Sequence, residues 1–282
     1  MAYRGRFFMR QRVWVHGDYV DADVYPVFQA PGQRRKKCRP TREIQEKINQ
    51  RDAVEKFKRI ANLNFRDGYE LDLTVREPMD LQEAVVLLRA YLRRIRRRYR
   101  KAGAELKYMY VQERGKINGR AHFHMLISGG MSRDDLEDAW GLGTANCRRL
   151  QFDENGIAPL TEYLNKSRRQ GHRQSYRRWT CSKNLVRPEP ETEDGKITVS
   201  ESLELADAIE RRDAEAWAAA AFPGYTLVEA EAIKNLFNRG TYIRLRLARP
   251  ETWHGRIPIA RYISGETGED YAQIKTEEGG AA

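Results

Sequence analysis

The chain predicts an α+β fold: an antiparallel sheet with helices packed on one face and the other face left open. Three features carry this expectation. Between residues 69 and 170 the apolar pattern runs strand, helix, strand, strand, short helix, strand, helix. An alternating segment with a turn at its middle precedes that core, and a helical and strand-like region follows it. At 282 residues the chain has ample length for a buried interior. The predicted organisation is an N-terminal β-hairpin and helix extension over 1–66, a central domain over 67–187, and a C-terminal region with an acidic linker and tail over 188–282.

Taken in order, Phe7 to Val15 and Tyr19 to Phe28 alternate around His16-Gly17-Asp18, which predicts a hairpin with His16 as a turn residue. Arg34, Arg35, Lys36, Lys37 and Arg39 form a basic linker that also suits phosphate contact. Thr41 caps a helix to about Asn62, with Ile44, Ile48, Phe57 and Ile60 near one stripe. Tyr69 to Arg76 is a strand with Leu71, Leu73 and Val75 on one face and Glu70, Asp72 and Thr74 on the other. Asp80 opens a helix whose Leu81, Val85, Leu88, Leu92, Ile95 and Tyr99 recur at helical spacing. Its other face carries Arg89, Arg93, Arg94, Arg96, Arg97, Arg98, Arg100 and Lys101, as a solvated face or a contact for a nucleic-acid backbone.

Lys107 to Glu113 and Ala121 to Ser128 are strands joined across Asn118-Gly119, a strong turn signal. The second reads Ala-His-Phe-His-Met-Leu-Ile-Ser, so His122 and His124 share a face while Phe123, Met125 and Ile127 take the opposite one. Two such imidazoles can converge on an ion, and equally can be two half-buried polar residues; the hairpin brings Glu113 near them. Asp134 to Trp140 predicts a short helix and Arg148 to Phe152 a strand. Gly156 to Gln170 predicts a helix with Pro159 in its first turn, where Tyr163 and Lys166, three apart, are neighbours. Gln170 to Leu185 interleaves aromatics with basic residues, as a single-strand platform does, although Trp179 also suits a core. Arg187 to Lys196 is the clearest linker. Leu203 to Ala221 and Glu229 to Asn238 look helical, Thr241 to Leu247 alternates as a strand, and the acidic tail from Gly265 is expected to be disordered.

The excess of 51 Lys and Arg over 40 Asp and Glu, a formal +11, fits a polyanionic partner, nucleic acid first, while solubility or an anionic surface remain alternatives. Cys38, Cys147 and Cys181 are odd in number and widely spaced, against a disulfide framework or a four-ligand zinc site. No stretch has signal-peptide or membrane-spanning character, so the expectation is a soluble, cytoplasmic protein with no membrane partner. No Gly-rich lysine loop for nucleotide binding occurs in the chain.

His-hydrophobic-His on a strand followed by Tyr-x-x-Lys on a helix resembles the HUH endonucleases, most closely the rolling-circle replication initiators of phages and plasmids. Asn64-Phe65, the strand Leu71 to Val75, Trp140 to Gly143 and Arg177-Arg178-Trp179-Thr180-Cys181-Ser182 fall in the family's order, so the resemblance covers roughly 38–190. It implies a ferredoxin-like or RRM-like sheet with the site on its exposed face. It further implies a metal-dependent nickase in which Tyr163 attacks single-stranded origin DNA or an origin hairpin, leaving a 5′-phosphotyrosine and a free 3′-hydroxyl. Lys166 would favour the phenolate. His122, His124 and a third ligand would hold Mg²⁺ or Mn²⁺, with Glu113 the expected third ligand and Gln112 the alternative. Arg120, Arg177, Arg178, Trp179 and Lys183 are the candidate nucleic-acid contacts, and a host helicase and polymerase the expected partners. Positions 159, 160 and 167 are Pro, Leu and Ser, so a single nucleophile is expected. A single-strand transposase or relaxase of the same chemistry, and a non-catalytic nucleic-acid-binding module, are the competing readings.

Overall fold

The computed structural model describes residues 7–28, 42–115, 119–157, 179–235, 240–250 and 259–267. In chain order the elements are β1 Phe7–His16, β2 Tyr19–Phe28, α1 Arg42–Asn64, β3 Gly68–Val75, α2 Leu81–Lys101, β4 Tyr108–Arg114, β5 Ala121–Ser128 and α3 Arg133–Asp138. They continue with β6 Gly143–Arg149, β7 Thr180–Cys181, β8 Glu191–Asp194, α4 Val199–Arg211, α5 Glu215–Ala221, β9 Thr226–Asn235, β10 Thr241–Ala248 and β11 Arg261–Thr267. The fold is α+β, and the chain divides into two compact units: Gln50–Phe152 with Gly156–Arg187, and Met1–Asn49 with Asp153–Asn155 and Pro188–Ala282. Among the described residues no helix is long and apolar enough to cross a membrane.

The central unit is an antiparallel sheet in the order β6-β3-β5-β4-β7. Leu71, Leu73, Val75, Phe123, Met125 and Ile127 point to one face, as the alternation requires, and meet the stripe Leu81, Ala84, Leu88, Tyr91, Leu92, Ile95 and Tyr99 of α2. Asp80 caps α2 by accepting from the Gln82 amide. Trp140 packs edge-on against Tyr91 and Phe123, and its indole N–H donates to the Thr74 carbonyl at 3.0 Å, which ties α3 to the edge of β3.

The other face is not open throughout, contrary to the expectation of helices on one face only. Val54, Phe57, Ile60, Ala61 and Phe65 of α1 cover Met109, Val111 and Leu126 there. The reason lies in β4, whose Met109 and Val111 face one way while Tyr108 and Tyr110 face the other. A strand apolar on both faces needs cover on both. What α1 leaves uncovered is the polar part of that face, on β3 and at the hairpin end of β4 and β5. The expected strand at Arg148 to Phe152 also lies earlier: β6 runs Gly143–Arg149, with Ala145 and Cys147 toward the core and Thr144, Asn146 and Arg148 outward. Gly143 sits where an added Cβ would lie 2.2 Å from the Thr74 carbonyl oxygen, so only glycine lets β6 start against β3.

The second unit is a six-stranded sheet in the order β11-β9-β10-β2-β1-β8, antiparallel except for the β11–β9 pair. The N-terminal hairpin and the C-terminal strands share it, through ten β1–β2 pairings and the β2–β10 ladder. Val20, Ala22, Val24, Ile243, Leu245 and Leu247 pack against Leu205, Ala206 and Ile209 of α4. The opposite face carries buried cross-strand ion pairs, Asp21 with Arg246 at 3.1 Å and Asp23 with Arg244 at 3.0 Å. His16 is not a mere turn residue: it is buried, with Nε2 3.3 Å from Asp21.

Three expectations for this unit are corrected. Glu229 to Asn238 is not helical: β9 occupies Thr226–Asn235, because Leu227, Ala230 and Ala232 supply one buried face while the Ala and Glu content supplies only a weak helical preference. The linker at Arg187 to Lys196 contains β8, held to β1 along Arg10 to Val13 and by a bidentate Arg10–Asp194 pair at 2.6 and 2.8 Å. The acidic tail begins later than Gly265, since β11 extends to Thr267.

Candidate functional site

The site is built on three adjacent strands. On β5, His122 and His124 project from the same face, and the β4–β5 register sets Glu113 opposite His122 and Gln112 opposite Phe123. Opposed residues share a face, so Glu113 joins the histidines and Gln112 points the other way. On the other flank, β3 sets Thr74 opposite His122 and Asp72 opposite His124. The hairpin closes through Gly115 N–H to the Arg120 carbonyl at 2.8 Å and Gly119 N–H to the Gly115 carbonyl at 3.1 Å.

His124 lies between two carboxylates, with Nδ1 2.6 Å from Asp72 Oδ1 and Nε2 3.1 Å from Glu113 Oε1. Burial by itself lowers the pKa of this ring, but its hydrogen bonds to Asp72 and Glu113 outweigh burial and carry the imidazolium up to about 9. Asp72 is held in turn: its Oδ2 accepts from Arg148 at 2.8 Å, and the same guanidinium nitrogen lies 3.3 Å from Glu70 Oε1. Burial pushes the Glu70 carboxyl above its ordinary range, against the pull of Arg148.

His122 behaves differently. Its Nδ1 is 2.9 Å from the Thr74 hydroxyl, and burial lowers its pKa despite the nearby Glu113, so the ring is neutral near pH 7. Its Nε2 is set against the backbone of Gly115, where a Cβ would lie 2.9 Å away. The face therefore offers a neutral imidazole, a carboxylate and a second imidazole whose far nitrogen is oriented by another carboxylate.

In kind, that donor set fits a divalent cation taking oxygen and imidazole ligands. Asp72 on Nδ1 of His124 is the partner that fixes the tautomer of a ligating histidine. Glu113 and His124 are already in contact, and His122 shares their face with Nδ1 turned to Thr74. Among the described residues no three His, Cys, Asp or Glu side chains are gathered closely enough to hold a metal as they stand.

Of the other residues the sequence singled out, Tyr163, Lys166, Arg177 and Arg178 lie outside the described residues. Arg120 is exposed at the start of β5. Trp179 packs edge-on against Phe57 and donates its indole N–H to the Ala53 carbonyl at 3.1 Å, a packing arrangement. Lys183 is exposed and borders a cleft with Arg96 and Arg100 of α2. Sequence reasoning did not select Asp72, Thr74, Arg148 or Gly115. The alternation of β3 carried the signal for the first two, since it sets them on the polar face of the strand that flanks β5.

Residues 70–168 match a family of replication-associated proteins, the ORF2 type. The matched segment starts on β3, includes all of the residues around His124 and extends beyond the last described strand of the sheet to a point past Lys166. The match supports a replication initiator role. Neither the curated proteins nor the solved structures compared with the chain gave a significant match.

Proposed function

We propose that the chain is a replication initiator that nicks single-stranded origin DNA with Tyr163 and remains joined to the new 5′ end. The observation that carries this reading is the gathering of Glu113, His122 and His124 on one face, inside the segment that matches the replication-associated family. In the reaction the phenol oxygen of Tyr163 forms a bond to phosphorus as the bond from phosphorus to the 3′-oxygen breaks. One phosphodiester is exchanged for another, and the proton lost by the phenol balances the one gained by the departing 3′-hydroxyl. Glu113, His122 and His124 would hold Mg²⁺ or Mn²⁺, which supplies charge neutralisation at the phosphate oxygens. Asp72, itself fixed by Arg148, keeps the His124 ring oriented. Thr74 does the same for His122. Lys166, three residues from Tyr163, favours the phenolate.

One observation favours a second reading. The Asp72–His124–Glu113 arrangement is a complete ion-pair chain when His124 is protonated, as a non-catalytic nucleic-acid-binding module would also use it to brace the sheet. Incubating the protein with labelled single-stranded origin DNA and Mn²⁺, then separating products on a denaturing gel, tells the two apart. The nickase yields cleaved DNA that disappears in EDTA and in His122→Ala and His124→Ala. The binding module yields retarded but uncut DNA under all of these conditions.

A further inference from the structure

On the helix-covered side of the same sheet, α2 presents an arginine row that the chemistry above does not use. Arg94 and Arg98 are spent inside the fold, donating to the carbonyls of Ala139, Trp140 and Asp135. Arg89, Arg93, Arg96, Arg97 and Arg100 are exposed, and none has a hydrogen-bond or ion-pair partner among the described residues. Their spacing of three and four residues places them along one side of the helix over ~16 Å. At the C-terminal end of the row, Arg96 and Arg100 face a cleft of about 700 Å³ that Lys183 also lines. The one carboxylate there, Glu105, accepts from the Asn184 side chain at 2.9 Å. Three cations against one engaged carboxylate leave the cleft strongly positive.

We propose that this row and cleft form a second nucleic-acid site, which takes the phosphate backbone of duplex DNA. A site for single strands pairs its cations with aromatic rings on which bases stack. Here Tyr91 and Tyr99, the tyrosines of α2, are fully buried in the core beneath the row, and the exposed side chains are guanidinium groups. Such a surface neutralises phosphates without reading bases, as duplex-backbone contacts do. The site stands independently of nicking, because it lies on the opposite face of the sheet from His122 and His124 and needs no metal.

The test uses the full chain in EDTA, where no cleavage occurs, and measures binding to a fluorescent duplex of arbitrary sequence across a range of salt concentrations. Relative to the native chain, the Arg96→Gln/Arg100→Gln/Lys183→Gln variant is expected to bind the duplex ~10-fold or more weakly at low salt. Its log-log salt slope should be shallower by about three, near one unit per lost phosphate contact. A single strand of the same length should lose much less. All three positions are exposed, and an unchanged circular dichroism spectrum and melting curve confirm that the variant is folded. Unchanged duplex affinity and slope overturn the proposal. So does an equal loss on both DNAs, which would assign the cleft to single strands, or competition by polyglutamate as strong as by duplex, which would make it a general anion surface. Cleavage of single-stranded DNA on the histidine face is scored separately, so either site can fail without the other.

Discussion

Asp72 grips His124 from the neighbouring strand: Oδ1 lies 2.6 Å from Nδ1, while Oδ2 accepts from Arg148 at 2.8 Å. The ring nitrogen left to face Glu113 is therefore Nε2, and the sheet rather than a loop sets its direction. Removing this grip leaves both histidines in place but lets one of them turn. Asp72→Asn is expected to weaken Mn²⁺ binding ~10- to 100-fold, the usual cost of losing the partner of a ligating histidine. Titration calorimetry measures this directly, and Arg148→Gln should give a smaller loss in the same direction.

Gly115 matters for the other imidazole. A Cβ at that position would come within 2.9 Å of His122 Nε2 and 3.3 Å of Cδ2, so Gly115→Ala must displace the ring. The expected outcome is weaker Mn²⁺ binding, shifted His122 ring resonances and little change in melting temperature. At Gly119, the other hairpin glycine, φ is +60° and no atom of His122 is near a built Cβ, so its substitution should strain the turn instead.

Glu70 predicts a pH dependence of stability. Burial raises its carboxyl pKa above the ordinary 4.5 in the folded chain. A carboxyl raised by folding favours the fold while it is protonated. That contribution is complete below the ordinary value and is lost as the pH climbs through the raised one. Ionised Glu70 is thus a cost at neutral pH. Glu70→Gln is expected to melt at a higher temperature than the native chain at neutral pH, and the gap should close when both are melted below the carboxyl range.

In the second unit, Asp21 and Arg246 form a buried pair at 3.1 Å, with side chains 2% and 7% exposed. Asp21→Ala removes one partner and is expected to destabilise this unit by about 3–5 kcal/mol. Asp194→Ala breaks the exposed pair to Arg10 and should cost no more than about 1 kcal/mol. Denaturant midpoints of the two variants give the comparison.

How much of this was legible in the sequence varied with the physics of each element. The strand from Ala121 to Ser128 and the helix from Leu81 to Lys101 could be read because each has a clean apolar periodicity, and both are where they were expected. The choice between Glu113 and Gln112 could not be read, since a shift of one residue exchanges the faces and only the closed hairpin fixes the register. The cover by α1 was hidden because β4 is apolar on both faces, which alternation alone does not interpret. The strand β9 was hidden by its Ala and Glu residues, whose weak helical preference yields to pairing with β10 and β11. Asp72 was visible as a residue but not as a partner, because its role depends on β3 lying beside β5, a neighbour fixed by the fold.

The most direct test of the central claim is to recover the protein after reaction with single-stranded origin DNA and Mn²⁺, digest it, and identify by mass spectrometry the peptide that carries nucleotide. The account predicts a single adduct, a phosphodiester on Tyr163, absent in Tyr163→Phe and in EDTA. Nucleotide attached to another residue, or DNA cleaved with no attached peptide, would contradict it.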